Sequence, residues 1–220
     1  MMAAEMPGRM ARLPRDHTGR PVPWFVWWDG DRPDFRVIGK RKPEDAVRHK
    51  LCWVCGCPFQ RQEHRAFVVG PMCAVNRLSS EPPSHIDCAA YSAVMCPFLS
   101  RPQMVRRERG MDEFVEPAGV MITRNPGVAV VWVTKYNAWH WRNAPTRDGK
   151  HTSLLFDIGE PAGVRWYHRG RPATREEILA AIDSGLPSLQ AAAEADEQRG
   201  LAALGELERE LEIALTLVPE

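Results

Sequence analysis

Cys52-Trp53-Val54-Cys55-Gly56, followed by Ser84-His85-Ile86-Asp87-Cys88, is the part of this 220-residue chain whose chemistry decides the fold. Two thiolates separated by two residues grip one metal ion, and Gly56 accepts the backbone angles of the turn that follows them. A closed tetrahedral site needs two more nitrogen or sulfur donors, and His85 and Cys88 supply them. Pro82 and Pro83 stop any helix arriving from upstream, Ser84 is placed to cap a new one, and Asp87 suits its first turn. His85 and Cys88, three apart, then share one helix face. The expected site is one structural Zn2+ on Cys52, Cys55, His85 and Cys88.

All six cysteines lie between positions 52 and 96. In a reducing compartment such clustering indicates metal ligation rather than disulfides. Cys73 is the alternate ligand in place of His85, and the spare thiols Cys57, Cys73 and Cys96 leave open an iron–sulfur cluster held by four cysteines. Four good donors with spares leave no position for a reactive water, which favours a structural site over a catalytic one. The zinc-deaminase pattern, His-x-Glu followed by Pro-Cys-x-x-Cys, is missing from the chain.

Between the two ligand pairs, Ala66-Phe67-Val68-Val69-Gly70-Pro71-Met72-Cys73-Ala74-Val75 predicts a hairpin, giving the order knuckle, hairpin, helix. That order resembles a treble-clef zinc finger over residues 50 to 98. The ligand spacing is also similar to that of the DNA-break-sensing fingers of poly(ADP-ribose) polymerases, a resemblance that implies nick recognition. The treble clef resembles the scaffold of HNH nucleases as well. That resemblance would give His64, beside Glu63, and Asn76 a part in metal-dependent DNA cleavage, although the family's paired Asp-His or His-His motif is absent.

Outward from the cysteines the composition is that of an ordinary globular chain, 44% apolar and 26% charged, and its net charge of +1 gives no overall pull toward nucleic acid. No run of about 18 apolar residues is long enough for a membrane span. The first residues lack the apolar stretch of a secretory signal, so a cytoplasmic location is expected. Residues 1–22 show no periodicity and are expected to be a flexible arm.

Residues 23–50 predict a β-hairpin, from Pro23-Trp24-Phe25-Val26-Trp27-Trp28 to Phe35-Arg36-Val37-Ile38, and then a short helix from Pro43. Residues 51–99 form the zinc-finger region. Residues 100–172 carry strand signals at 120–123, 128–134, 154–158 and 164–167 and predict an antiparallel sheet. In 173–220, Thr174-Arg175-Glu176-Glu177 is a capping box, Gly185 a helix stop and Pro187 the start of a second helix. Leu201, Leu204, Leu207, Leu211, Leu215 and Val218 make an apolar stripe that packs on the protein's own sheet or a neighbouring helix, or else forms a dimer or partner surface. The fold class is therefore α+β: a treble-clef-like zinc finger, an antiparallel sheet and a C-terminal helical hairpin.

Arg65, Arg77, Arg101, Arg106, Arg107 and Arg109 could form a basic surface beside the finger for phosphate or a partner. Trp139-His140-Trp141-Arg142, read as a strand, turns both tryptophans inward and leaves His140 and Arg142 facing solvent, where they too could make contacts. Val164-Arg165-Trp166-Tyr167-His168-Arg169-Gly170-Arg171-Pro172-Ala173-Thr174-Arg175-Glu176-Glu177, with Gly70-Pro71-Met72-Cys73-Ala74-Val75-Asn76-Arg77 and Glu81-Pro82-Pro83-Ser84-His85, resembles uncharacterised proteins of phages and mobile elements of GC-rich bacteria. The resemblance implies an accessory protein that binds a host or viral component. The expected function is that of a non-enzymatic, zinc-stabilised regulator or inhibitor acting through protein–protein contacts, with nucleic-acid binding as the alternative.

Overall fold

Val128-Ala129-Val130-Val131-Trp132-Val133-Thr134 is too continuously apolar for a strand with one wet face, and the structure buries it on both. The computed structural model describes residues 5–102, 104–105, 124–125, 127–146, 149, 151–195 and 201–220. The strand signal at 120–123 and the arginines Arg106, Arg107 and Arg109 lie outside the described residues.

The described elements are α+β. Strands β1 (Val26–Asp29) and β2 (Arg32–Ile38) form the expected hairpin, and helix α1 (Lys42–Arg48) follows it. Strand β3 (Arg65–Val69), helix α2 (Pro71–Asn76) and strand β4 (Leu78–Ser79) lead to helices α3 (Ile86–Met95) and α4 (Pro97–Ser100). Then come β5 (Ala129–Thr134), β6 (His140–Pro145), β7 (Thr152–Asp157), β8 (Pro161–His168), β9 (Arg171–Pro172) and the helices α5 (Arg175–Glu194) and α6 (Leu201–Thr216). None of the helices is long and apolar enough to cross a membrane.

The hairpin expected at 66–75 does not form. Gly70 is the N-cap of α2 and Pro71 its first residue, where the missing N–H is harmless and the fixed φ starts a helix. β3 pairs with β5 instead, Phe67 opposite Trp132. The strands of the second half also divide between two antiparallel sheets rather than one, in the orders β3-β5-β8-β9 and β4-β7-β6.

Alternation along β3 and β5 then separates two cores. Phe67, Val69, Val130 and Trp132 face the larger one, shared with Phe156, Trp166 and the helices α2, α5 and α6. An aromatic cluster of Phe67, Trp139 and Phe156, with ring centroids 6.0–6.3 Å apart, joins the two sheets. Ala66, Ala129, Val131 and Val133 face the other way, onto Ala89 and Ala93 of α3. The alanines are one turn apart and small, so α3 lies close on the sheet while its other side is free for ligands.

At the C-terminal end the capping box is present in full. Glu177 donates its amide to Thr174 Oγ1, and its carboxylate accepts from the Thr174 amide at 2.9 Å. Hydrogen bonds from Arg171 hold the Glu177 carboxyl down at about 2. A carboxyl lowered by folding adds stability above its unfolded value near 4.5 and loses it as the pH falls toward 2. Glu177→Ala is therefore expected to melt below the parent at pH 7, with the gap closing between about pH 4.5 and 2 in parallel thermal scans.

Gly185 is not a stop, and Pro187 does not begin a new helix. α5 runs through both, because Ile178 and Ile182 before them and Leu189 and Ala193 after them pack on one core. Gly185 is needed for a close approach: a Cβ there would lie 2.7 Å from Met72 Cγ on α2. The stripe on α6 is turned to this same core through Leu207, Leu211, Ala214 and Val218, while Leu215 falls to the outer side and Leu201 is 87% exposed.

Candidate metal centre

The knuckle is built by backbone hydrogen bonds that fold residues 52–57 around sulfur. Cys52 donates its amide to the Cys57 carbonyl at 2.8 Å, and Gly56 returns its own to Cys52 O at 2.8 Å. Gly56 has φ +66, and a Cβ on it would sit 2.5 Å from the Trp24 ring, so both backbone and packing require glycine. The amides of Cys55 and His85 point at Cys52 Sγ (3.4 and 3.3 Å), and that of Cys57 points at Cys55 Sγ (3.5 Å). Such N–H···S contacts favour thiolate over thiol.

His85 arrives from the other direction. The Ser84 amide and carbonyl bond to Ala66 of β3, so the second ligand pair is stitched to the sheet edge. His85 itself, not Ser84, is the N-cap of α3, with its carbonyl accepting from Ala89. Cys88 is two residues into the helix after Ile86, on the side away from the alanines that meet the sheet.

Cys52, Cys55, His85 and Cys88 thereby come together, with ligand atoms all within 4.8 Å of one another and each residue no more than 1% exposed. Cys55 Sγ and His85 Nδ1 are 3.4 Å apart. The edge of a zinc tetrahedron between sulfur and nitrogen, from bond lengths of about 2.3 and 2.05 Å, is about 3.6 Å, so these donors fit a single ion. Burial pushes the Cys52 thiol up, but hydrogen bonding from Cys55, Cys88 and His85 outweighs it and draws Cys52 below its ordinary value. Cys55 is pushed up to about 12, and Cys88 higher than usual, by hydrogen bonding to their neighbours in the cluster. Three sulfurs this close resist ionising together unless a cation stands among them.

The other thiols are elsewhere in chemical terms. Cys73 lies on α2 against the large core, where burial pushes it up to about 11, and it is not in the cluster. Cys57 packs at the margin of the cluster without contributing a donor to it.

Residues 5–22 are not a loose arm. Met10 and Leu13 are buried against Cys52, Val54, Cys55 and Cys88, with Met6 packed beside them, and Val22 is fully enclosed. A one-turn 3-10 helix at Gly8–Met10 and a turn in which Asp16 accepts from the amides of Thr18 and Arg20 hold this cover in place. Met6, Met10 and Leu13, spaced by four and three in a polar stretch, are the signal that marks it.

Of the arginines expected to form a basic surface, Arg65 and Arg77 each have partners within the chain. Arg65 is buried, with its guanidinium 3.8 Å over the Phe59 ring and donating to the Glu63 carbonyl. Arg77 is ion-paired to Glu160. His140 and Arg142 are exposed on β6, with His140 Nε2 3.5 Å from Asp157. Trp139 precedes β6 and is packed inward as expected, but Trp141 is 46% exposed, on a strand whose side chains are exposed on both faces. His64 is exposed, and the Asn76 side chain is engaged by the Leu78 amide.

Glu63, by contrast, is part of the centre. Its Oε2 lies 3.7 Å from His85 Nε2, and its Oε1 lies 3.9 Å from Arg9. The chain matches no known protein family, no curated protein and no solved structure.

Proposed function

We propose that Cys52, Cys55, His85 and Cys88 hold one structural Zn2+, and that the protein is a non-enzymatic, metal-clamped binding protein acting through protein–protein contacts. The observation that carries the metal reading is the four buried donors within 4.8 Å of one another. Three sulfurs and one imidazole suit zinc, whereas an iron–sulfur cluster of the four-cysteine kind would need a further thiol, and neither Cys73 on α2 nor Cys57 at the margin brings a donor into the group. When bound, the ion cross-links the knuckle to the start of α3.

The donors are capped by Met10, Leu13 and Phe59, and a set of four protein ligands under such a cover supports a clamp rather than a centre that activates water. Protein contacts are supported by exposed apolar side chains, Phe35, Trp141, Ile213 and Leu215 among them, together with a near-neutral chain and the engagement of Arg65 and Arg77 by other residues of the chain.

Elemental analysis of freshly purified protein is expected to give about one zinc per chain. Stripping that zinc with a strong chelator is expected to abolish the cooperative melt, since structural zinc contributes about 10–16 kcal/mol to folding. Iron and a brown colour, or an unchanged melt after complete removal of the metal, would overturn the clamp. A salt-dependent mobility shift with oligonucleotides would overturn the preference for protein partners.

A further inference from the structure

The imidazole of His85 is enclosed, and its two nitrogens face different chemistry. Nδ1 looks into the sulfur cluster, 3.4 Å from Cys55 Sγ. Nε2 looks out of it, 3.7 Å from Glu63 Oε2. A neutral imidazole that offers one nitrogen's lone pair to a cation must carry its proton on the other, and an acceptor at that second nitrogen selects the tautomer.

The carboxylate is itself held. Glu63 Oε2 accepts the Gln60 amide at 2.9 Å, closing a tight turn, and Arg9 stands between Glu63 and Asp87, with Nη1 3.9 Å from Glu63 Oε1 and Nε 3.4 Å from Asp87 Oδ2. Asp87 directly precedes the ligand Cys88. The opposite wall of the His85 pocket is the Phe59 ring, 4.6 Å from the imidazole and backed by Arg65. The imidazole thus packs against a tilted Phe59 ring, and its outward nitrogen is 3.7 Å from a carboxylate that the chain holds in place.

We propose that Glu63 is the outer carboxylate of the metal centre, a positioning residue that keeps His85 protonated on Nε2 and presents Nδ1 to the ion. This rests on the metal reading above and assigns a role to an acidic side chain seated near the imidazole's second nitrogen. It also gives Arg9 a part: through Glu63 and Asp87 it fastens the N-terminal cover to the groups that surround the ligands.

The test uses the full chain with Glu63→Ala and Glu63→Gln. Glu63 lies on a partly exposed loop, so both variants are expected to fold with zinc present. Zinc affinity is read by competition with a chromophoric chelator, and the tautomer by 15N shifts of the His85 ring. Removing an outer partner of a ligating histidine weakens metal binding by about 10–100-fold. Glu63→Ala is expected to show that loss, and Glu63→Gln, which keeps an acceptor oxygen, to recover most of it. In the parent, Nδ1 should carry the metal-bound shift and Nε2 the shift of a protonated nitrogen. A Glu63→Ala protein that binds zinc within twofold of the parent, or a parent whose Nε2 carries the metal-bound shift, overturns the proposal while leaving the zinc clamp intact. A parent that binds no zinc overturns the clamp itself, and this role with it.

Discussion

Replacing Cys88 by serine is expected to leave the protein without its metal and without its native fold. Cys88 is fully buried between the other three donors and the N-terminal cover, on the first turn of the helix whose alanines pack on the central sheet. Serine offers the ion a hydroxyl in place of a thiolate, a poor ligand for zinc. The lost contribution of about 10–16 kcal/mol is as large as the whole stability of a typical domain, about 5–15 kcal/mol. The metal-to-protein ratio should fall from about one to near zero, and the cooperative transition in circular dichroism should disappear. Cys73→Ser is the control: Cys73 sits on α2 away from the cluster, so that variant should keep its zinc. A Cys88→Ser protein that retained stoichiometric zinc would remove Cys88 from the ligand set.

The second large effect is expected at Trp132, far from the metal in chemical role. Its side chain is fully enclosed on β5, opposite Phe67, and its indole N–H donates to the Gly159 carbonyl at 3.1 Å. Trp132→Ala opens a cavity in the larger core and leaves that carbonyl without its donor, a loss of about 3–5 kcal/mol. For a chain of this length each kcal/mol lowers the melting temperature by about 2–4 °C, so a drop of about 6–20 °C is expected, with the zinc content unchanged. A shift of less than a degree or two would mean that Trp132 does not anchor the core. Stability lost with zinc retained, set against stability lost with zinc, separates the two supports of the fold.

The four-donor cluster was legible because the chemistry is local: Cys-x2-Cys with Gly56 after it, and His85 three residues before Cys88, are short-range patterns suited to holding a metal ion. The capping box at Thr174 and the β1–β2 hairpin were legible for the same reason. What stayed hidden depends on partners distant along the chain. Nothing near Ala66–Val69 announces that β3 will pair with β5, so the stretch looked like half of a local hairpin. Gly185 and Pro187 look like punctuation until Met72, more than a hundred positions earlier, is known to need the space that Gly185 leaves. The N-terminal cover is hard to see in the sequence because three apolar residues among charged ones bury little surface by themselves; they gain it only against a cluster that begins at Cys52. In sequence Glu63 stands out only as the neighbour of His64, yet its carboxylate lies 3.7 Å from His85, which follows it by 22 positions.

The pairing of β3 with β5 also sets an order on biosynthesis. All four ligands have been translated by residue 88, but β5 spans 129–134, so the metal can be captured while the strand that covers the edge of β3 does not yet exist. A nascent chain at that stage presents an unpaired strand beside an apolar helix face, the kind of edge that recruits other chains. On the zinc reading, the bound ion then reinforces the few long-range contacts, such as the Trp53 amide to the Pro83 carbonyl, that join the knuckle to the start of α3 during that interval. Metal supply would bear on how much protein survives synthesis, before it bears on the finished molecule.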